Sequence, residues 1–591
     1  MAPSNNEILL ALIPVEIWAL VIDFLQWESW TALHSLNLSC RNFHEIVSPV
    51  LFKTLRIRFP GGRRDSQVLN RDNKHKRLHE LLGPDNLVDI HQYVRFLILC
   101  GHKGSTADSH GASLTKLVKS LPNLESIRWR SIAFPPHLVR TLKAKQQPPL
   151  FYYEGLPLPL VQDDLLLGAP FIKSLNITYS SNPSSRNNIE INALGAVILS
   201  LPNLKRLVLK YNPGPQILNG ADCPPRPIFD LPPATILPPL RVLCLANLAF
   251  SPEQAATWAR SLAQRQTLHH LDLDGAADMT NLINHLSDCP GAVSSLRSVS
   301  FRIHDATRAE NISRVTSSLD GLLRQITHLS AFSANDLPKE VLHKVVGHHR
   351  STLRQLRWRH TWFPLLDVYF AGMHELSPIG VRRSSEERSV ACIFSPGELR
   401  DLAKKLPHVE RLGVDLCFMC FRRNTDLPYT HLSALASFQR LKYLELNSPT
   451  VERTQTHMLL EEGPLVNESM AEDAFQYIAA EKNRHGKEAS AEVSAEASQS
   501  RFIQLAIKAG EWESFPWDAN CLDRRYIPFA IVCWREGAIG ALNTIRRLHV
   551  KFKSPLRLSF LEENKFEQAM DVAGLLGGGR EGGLDFGPRI W

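Results

Sequence analysis

The sequence lacks most of the marks of a secreted, membrane-spanning or catalytic chain. It has 10 cysteines in 591 residues, scattered from Cys40 to Cys533 with no spacing that reads as a disulfide framework. The longest apolar run, Ile8 to Leu25, is interrupted by Pro14, Glu16 and Asp23, so no membrane span is expected. No signal peptide precedes that run, and the chain reads as intracellular and reduced, cytoplasmic and/or nuclear. The formal net charge is only +8, which favours solubility and acidic partners and gives no ground to expect nucleic acid.

Catalytic and metal-binding patterns are equally thin. Cys417 and Cys420 form a single CxxC with no second pair at zinc spacing. The glycines from Gly577 to Gly583 lack the strand-to-helix context and the Lys-Ser/Thr of a phosphate loop. Neither Gly-x-Ser-x-Gly nor His-Glu-x-x-His occurs, and His269-His270 and His348-His349 adjoin expected elements as surface or packing residues. The expectation is a non-enzyme with no catalytic residues, no metal and no cofactor.

What is present begins at Ile13. From Val15 to Leu25, apolar residues cover most of a helical circumference and leave a narrow polar stripe of Glu16, Ala19, Asp23 and Gln26. Such a helix must be covered from more than one side. Trp30, Leu33 and Leu36 predict a short second helix, and Phe43, Ile46, Val47, Val50 and Leu51 predict a third. Three short helices cannot bury that much apolar surface among themselves, so some of it must meet the rest of the chain or another protein.

This stretch resembles an F-box. It carries the opening Ile13-Pro14-x-Glu16, an aliphatic helix ending in Phe24-Leu25, then Cys40-Arg41-x-Phe43 and the exit Ser48-Pro49-x-Leu51-Phe52. Ser39 stands where an aliphatic residue usually precedes the Cys, and Trp30 replaces the usual Asp-Leu opening of the second helix. The resemblance implies docking on the Skp adaptor of a cullin–RING ubiquitin ligase. It also implies an adaptor-facing surface drawn from Ile13, Pro14, Ile17, Val21, Leu25, Leu33, Val47 and Leu51.

Beyond Leu55 an apolar-x-x-apolar-x-apolar triplet recurs, as in Leu124-Ile127-Trp129, Leu204-Leu207-Leu209, Leu271-centred and Leu356-centred copies, and Ile326-Leu329-Ala331. Between Leu175 and Leu356 the central residues repeat at roughly 27 to 36 residues, a solenoid period. Several copies share a lead-in, SLPNL at Ser120–Leu124 and Ser200–Leu204, whose proline stops a helix and turns the chain into a strand. Amphipathic segments with helix-start signals lie between triplets: from Ser251-Pro252-Glu253 to about Arg265, Thr280–Ser287, Ala309–Leu323, Pro338–His349, from Ser395-Pro396 to about Leu406, and Thr430–Phe438. The alternation resembles leucine-rich repeats, which implies stacked strand–helix units with the strands lining a concave face. A conventional α/β domain with a parallel sheet shows the same alternation.

The expected fold class is therefore α/β: a three-helix F-box domain followed by an irregular leucine-rich-repeat solenoid with a curved parallel sheet. The expected organisation is an F-box domain over 1–57, a linker and loop over 58–93, and the solenoid over 94–462. A low-complexity insertion follows over 463–500, expected to be disordered, with Ala479–Ser500 within it disordered or a solvated helix, then a terminal repeat or cap over 501–572 and a flexible Gly-rich tail over 573–591.

Side chains alternate along a strand, so the residues between the apolar ones face away from the helices. Reading them gives Arg128, Arg130, Arg206, Lys210, Arg357, Arg359, Arg547 and Lys551, with His270, Asp272 and Asp274 in the middle. Arg forks would suit an acidic or phosphorylated segment of a protein substrate. The expected function is a substrate-recognition adaptor linking that substrate to a Skp adaptor and, through it, a cullin. Two other readings stay open: a repeat scaffold that recruits no ligase, and a repeat protein binding RNA or another polyanion.

Overall fold

The computed structural model describes residues 17–18, 21–22, 30–39, 41–59, 91–101, 111–130, 136–155, 166–180, 187–212, 226–232, 234–275, 278–303, 309–359, 394–416, 428–448, 468–489, 504–509, 529–535 and 545–551. Ile13, Pro14, Leu25, the CxxC, the loop at 60–76 and the Gly-rich tail lie outside them. The chain divides into two compact units, one of Met1–Asn212 with Arg226–Leu245, the other of Pro213–Pro225 with Ala246–Trp591.

The first unit opens with helices. Ile17, Trp18, Val21 and Ile22 are helical, followed by α1 (Trp30–Ser39) and α2 (Arg41–Leu51). Ile22, Leu33, Phe43, Val47 and Leu51 form their buried core, with Trp18 edge-on to Phe43 at 4.7 Å. Ser48 is buried in α2 and donates to Asn37 Oδ1 of α1 at 2.9 Å, so this buried hydroxyl is satisfied. Ser39, the departure from the F-box pattern, is exposed at the end of α1, and its hydroxyl donates to the Leu36 carbonyl at 2.7 Å. That carbonyl would otherwise have no helical partner.

The chain then enters a parallel sheet. Its strands are β1 (Thr54–Phe59), β2 (Phe96–Gly101), β3 (Ser126–Arg130), β4 (Leu150–Gly155), β5 (Ile172–Ser180) and β6 (Arg206–Asn212), each beside its predecessor. After the two-residue β7 (Arg226–Pro227), β8 (Val242–Ala246) lies next to β6. Helices α3 (Gly111–Ser120), α4 (Pro136–Ala144) and α5 (Asn187–Ser200) connect strands of this unit.

The second unit repeats the plan. After the short β9 (Leu248–Ala249) come α6 (Pro252–Arg265), β10 (His270–Asp274), α7 (Thr280–Asp288), α8 (Pro290–Val293) and β11 (Ser298–Arg302). Next are α9 (Ala309–Gln325), β12 (Ala331–Asn335), α10 (Lys339–His349), β13 (Gln355–Arg359), α11 (Pro396–Lys405) and β14 (Arg411–Asp415). The unit continues through α12 (Tyr429–Ala436), β15 (Tyr443–Ser448), α13 (Glu468–Ala489), β16 (Gln504–Ala509), β17 (Phe529–Arg535) and β18 (Ile545–Lys551). Strands β10 to β16 are parallel and stand in chain order, whereas β17 and β18 are antiparallel. A doubly wound sheet would reverse its strand order at a switch point; within each unit the order simply follows the chain.

Local chemistry explains the helices that the sequence announces. Ser251 and Ser395 each cap a helix, accepting from Gln254 and Glu398 backbone N–H at 3.2 Å while those side chains accept from the cap backbone. Both are complete capping boxes with proline at the first helical position. The triplets supply the core: Ile127, Trp129, Leu207, Leu209, Val299, Phe301, Leu356 and Trp358 are all at most 2% exposed.

Two expectations need correction. The triplet at Ile326-Leu329-Ala331 is out of frame, because β12 buries Phe332 and Ala334 and pairs Phe332 with Val299 and Leu356. Phe332 then stacks on Trp358 with centroids 6.3 Å apart. The disordered insertion over 463–500 contains α13, whose Ala471, Ala474, Phe475, Ile478 and Ala479 are buried. Small alanines let the helix approach closely, which a count of large apolar residues misses. Lys482 of α13 donates to the carbonyls of Phe438 and Gln439, at 2.6 and 3.2 Å, and burial lowers its pKa to about 8. In the terminal segment β16 continues the parallel sheet, and β17 and β18 follow it as antiparallel strands.

The SLPNL lead-in has a role beyond stopping helices. Asn123 Nδ2 donates to the Gln92 carbonyl at 2.8 Å, and Asn203 Nδ2 to the Pro170 carbonyl at 2.9 Å. Each amide therefore latches its repeat to the one before, as Ser295 does with the Gln266 carbonyl and Thr352 with the Leu329 carbonyl. Asn203→Ala is expected to destabilise the first unit by about 1 kcal/mol, read from urea unfolding; no change would show that water replaces the latch.

A second stability prediction concerns pH. His349 is buried at the end of α10, its Nε2 hydrogen-bonded to the Leu323 carbonyl at 3.0 Å, and burial pushes its pKa down to about 4. A depressed folded-state pKa means that the unfolded chain binds the proton first. Its contribution is complete above about 6.5, the value for an unfolded histidine, and is lost as pH falls towards 4. Thermal unfolding of wild type should therefore lose stability over that window more steeply than His349→Gln. Parallel profiles would refute it. No described helix is long and apolar enough to cross a membrane.

Candidate functional site

The sheet face turned away from the core carries the polar residues singled out in the sequence. In the second unit, register aligns the last residues of consecutive strands: Asp274 with Arg302, Arg302 with Asn335, and Asn335 with Arg359. Arg302 Nε lies 3.7 Å from Asp274 Oδ1, and Arg359 Nε lies 3.6 Å from Asp415 Oδ1, with Arg302, Arg359 and Asp415 all buried. One row inward, Arg357 reaches two strands across to Glu445, Nη2 to Oε1, at 3.0 Å.

Gly413 makes that reach possible. It sits between Arg357 and Glu445 in register, and a Cβ there would lie 2.9 Å from Arg357 Cγ. With its amide oriented to satisfy both neighbours, Asn447 donates to Glu445 Oε1 at 3.2 Å and accepts from Arg359 Nε at 3.3 Å. The two ion pairs thus join into one network across β13, β14 and β15. Arg302, Arg357 and Arg359 thus each lie beside a carboxylate, that of Asp274, Glu445 and Asp415 respectively.

This corrects the substrate-binding set. Arg357 and Arg359 are held by Glu445 and Asp415, so reversing both to Glu would damage the fold before it tested capture of a partner. Arg547 and Lys551 also leave the set. Arg547 is opposite Cys533, which is opposite Leu505, and Lys551 is opposite Phe529, which is opposite Ala509. Partners across a strand pair share a face, so both positions fall on the face of Leu505 and Ile507, away from that of Arg357. A triplet read from sequence fixes the alternation and leaves its sense open.

The first unit keeps three of its expected cations together. Arg128, Tyr152, Ser174 and Arg206 stand in register across β3 to β6, with Lys210 further along β6 opposite Thr178. Arg128, Arg206 and Lys210 are half-buried. At three strand spacings, Arg128 and Arg206 stand about 14 Å apart. Arg130 lies on β3 beside Glu154 of β4 in register, its side chain outside the described residues. The arrangement presents separate cations on a polar sheet, a surface for acidic groups on an extended segment.

The N-terminal helices divide the implied adaptor surface differently. Leu33, Val47 and Leu51 are buried in the helical core, so they hold the helices together and present nothing to a partner. Val21 is half-buried, while Ile17 is 47% exposed and Leu38, which the sequence reading did not single out, is 82% exposed. Ile13, Pro14 and Leu25 fall outside the described residues. The helical period alone cannot tell the core stripe from an outward one when a helix is apolar on most of its circumference.

Compared with known proteins, the chain matches no protein-family model and no curated protein.

Proposed function

We propose that this chain is a substrate-holding adaptor of an SCF-type cullin–RING ubiquitin ligase. Its N-terminal helices act as an F-box that docks on a Skp-type adaptor, and its strand–helix repeats act as an irregular leucine-rich-repeat solenoid that holds a protein substrate. The observation that carries this reading is the helical cluster itself. Among the described residues it has a buried core of Ile22, Leu33, Phe43, Val47 and Leu51, yet leaves Ile17 and Leu38 outside it. Exposed single apolar residues are ordinary; the ordered F-box motif in the same forty-odd residues is what gives these two a partner.

The chain would contribute proximity, holding the substrate beside the ubiquitin-charged enzyme, which is in itself a large rate effect. Arg128, Arg206 and Lys210 supply the substrate contact, and an acidic or phosphorylated segment suits them. An intracellular setting, cytoplasmic or nuclear, goes with this reading. Co-expression of the intact chain with a Skp adaptor and a cullin, followed by size-exclusion chromatography, tests it. Co-elution of all three supports the reading; a chain that elutes alone rejects it and leaves a repeat scaffold.

A further inference from the structure

We propose that the hollow between the C-terminal ends of α10 and α11 is a docking pocket for an acidic protein segment carrying an apolar anchor residue. The inference does not depend on the adaptor reading, and holds whether or not the N-terminal helices recruit a ligase. The cavity has a volume of about 630 Å³, within the range of sites that enclose a ligand group. Val346 and Pro407 supply apolar wall, and Gly347 of the last turn of α10 also lines the hollow.

The rim is cationic through Arg350, Lys404 and Lys405, with the imidazoles of His343 and His408 beside them. Arg350 and His343 come from α10 and the turn after it, Lys404 and Lys405 from the last turn of α11, and His408 from the approach to β14. Among the described lining residues there is no carboxylate. Asp401 stands 4.0 Å from Lys404, but both are exposed, and such a pair is weak. Asp320 of α9 engages Arg324, Lys344 and His348. Arg350 and Lys405 are left with no ion pair among the described residues.

Helix C-termini favour nearby cations, and that accounts for Lys404 and Lys405. It accounts for neither of two further features. Gly347 stands in the last turn of α10, and a Cβ built there would meet nothing within 4 Å. A glycine inside a helix costs about 1 kcal/mol against alanine, and no close approach of another element requires this one. What its missing side chain preserves is the open volume. His408 Nδ1, in turn, is buried without a hydrogen-bond partner, a group that native folds usually satisfy. A peptide seated with an aliphatic side chain between Val346 and Pro407 would bring its carboxylates to Arg350 and Lys405 and its polar groups to that nitrogen.

The test titrates the intact chain into a short fluorescein-labelled peptide of Glu and Asp around a single Leu, followed by anisotropy. Saturable binding is expected, weakened at least about tenfold by Arg350→Glu or Lys405→Glu and abolished by Gly347→Leu, which fills the cavity. Both charge reversals lie at exposed positions, so they report binding even if the glycine variant folds poorly. A companion peptide with Ser in place of Leu should bind at least about tenfold more weakly. Absence of wild-type binding overturns the proposal. So does binding that survives the charge reversals, or equal binding of the Ser peptide, which would reveal only a polyanion-attracting surface.

Discussion

Asp415→Ala should lower the stability of the second unit by about 3–5 kcal/mol, because it strands the Arg359 guanidinium without its carboxylate. Side-chain exposure is 9% for Arg359 and 3% for Asp415, so water cannot take over the missing role. The loss should spread, since Asn447 ties Arg359 to the Arg357–Glu445 pair. Replacing both partners with apolar residues, Arg359→Met with Asp415→Leu, should recover much of the loss, because a buried pair is costly mainly when halved. Gly413→Val should resemble the single variant, since its Cβ would displace Arg357. Urea unfolding of the intact chain reads all three. A change below about 1 kcal/mol for Asp415→Ala, the value of an exposed pair, would show that the network is solvated and that Arg357 and Arg359 are free for a ligand.

The second large effect separates docking from folding in the N-terminal helices. Ile17→Glu places a charge where the F-box reading puts an apolar contact, and desolvating an unpaired carboxylate costs several kcal/mol. Affinity for a Skp adaptor should fall by about a hundredfold or more, and Leu38→Glu should also weaken it. Neither should lower the melting temperature, because both side chains already face water. Leu33→Ala should do the reverse, destabilising the helices by about 2–5 kcal/mol, since Leu33 is fully buried in their core. If Ile17→Glu binds the adaptor as wild type does, Ile17 is an ordinary surface residue.

Local signals in the sequence proved readable and relational ones did not. Ser251 and Ser395 with their prolines announce helices because capping is settled within four residues. The triplets announce strands because burial alternates along each one. The strand β4, with Phe151 and Tyr153 buried, escaped the triplet reading because its lead position is proline. Strand direction has no period-two signature, so the antiparallel turn of β17 and β18 was invisible.

The candidate sites divide along the same line. That Arg357 and Glu445 meet across 88 residues, over a glycine that clears the way, depends on which strands become neighbours. Neither residue carries a mark of it. The helical ledge shows a related limit: Ile17 and Leu33 look alike in a periodic pattern, and only packing assigns one outward and the other inward.

The most direct measurement is a calorimetric titration of a purified Skp adaptor into the intact chain at several temperatures. A one-to-one complex is predicted, with a negative heat-capacity change because apolar surface is removed from water, and with that signal greatly reduced for Ile17→Glu. No heat of binding at any temperature, with no complex by size-exclusion chromatography, would contradict the account.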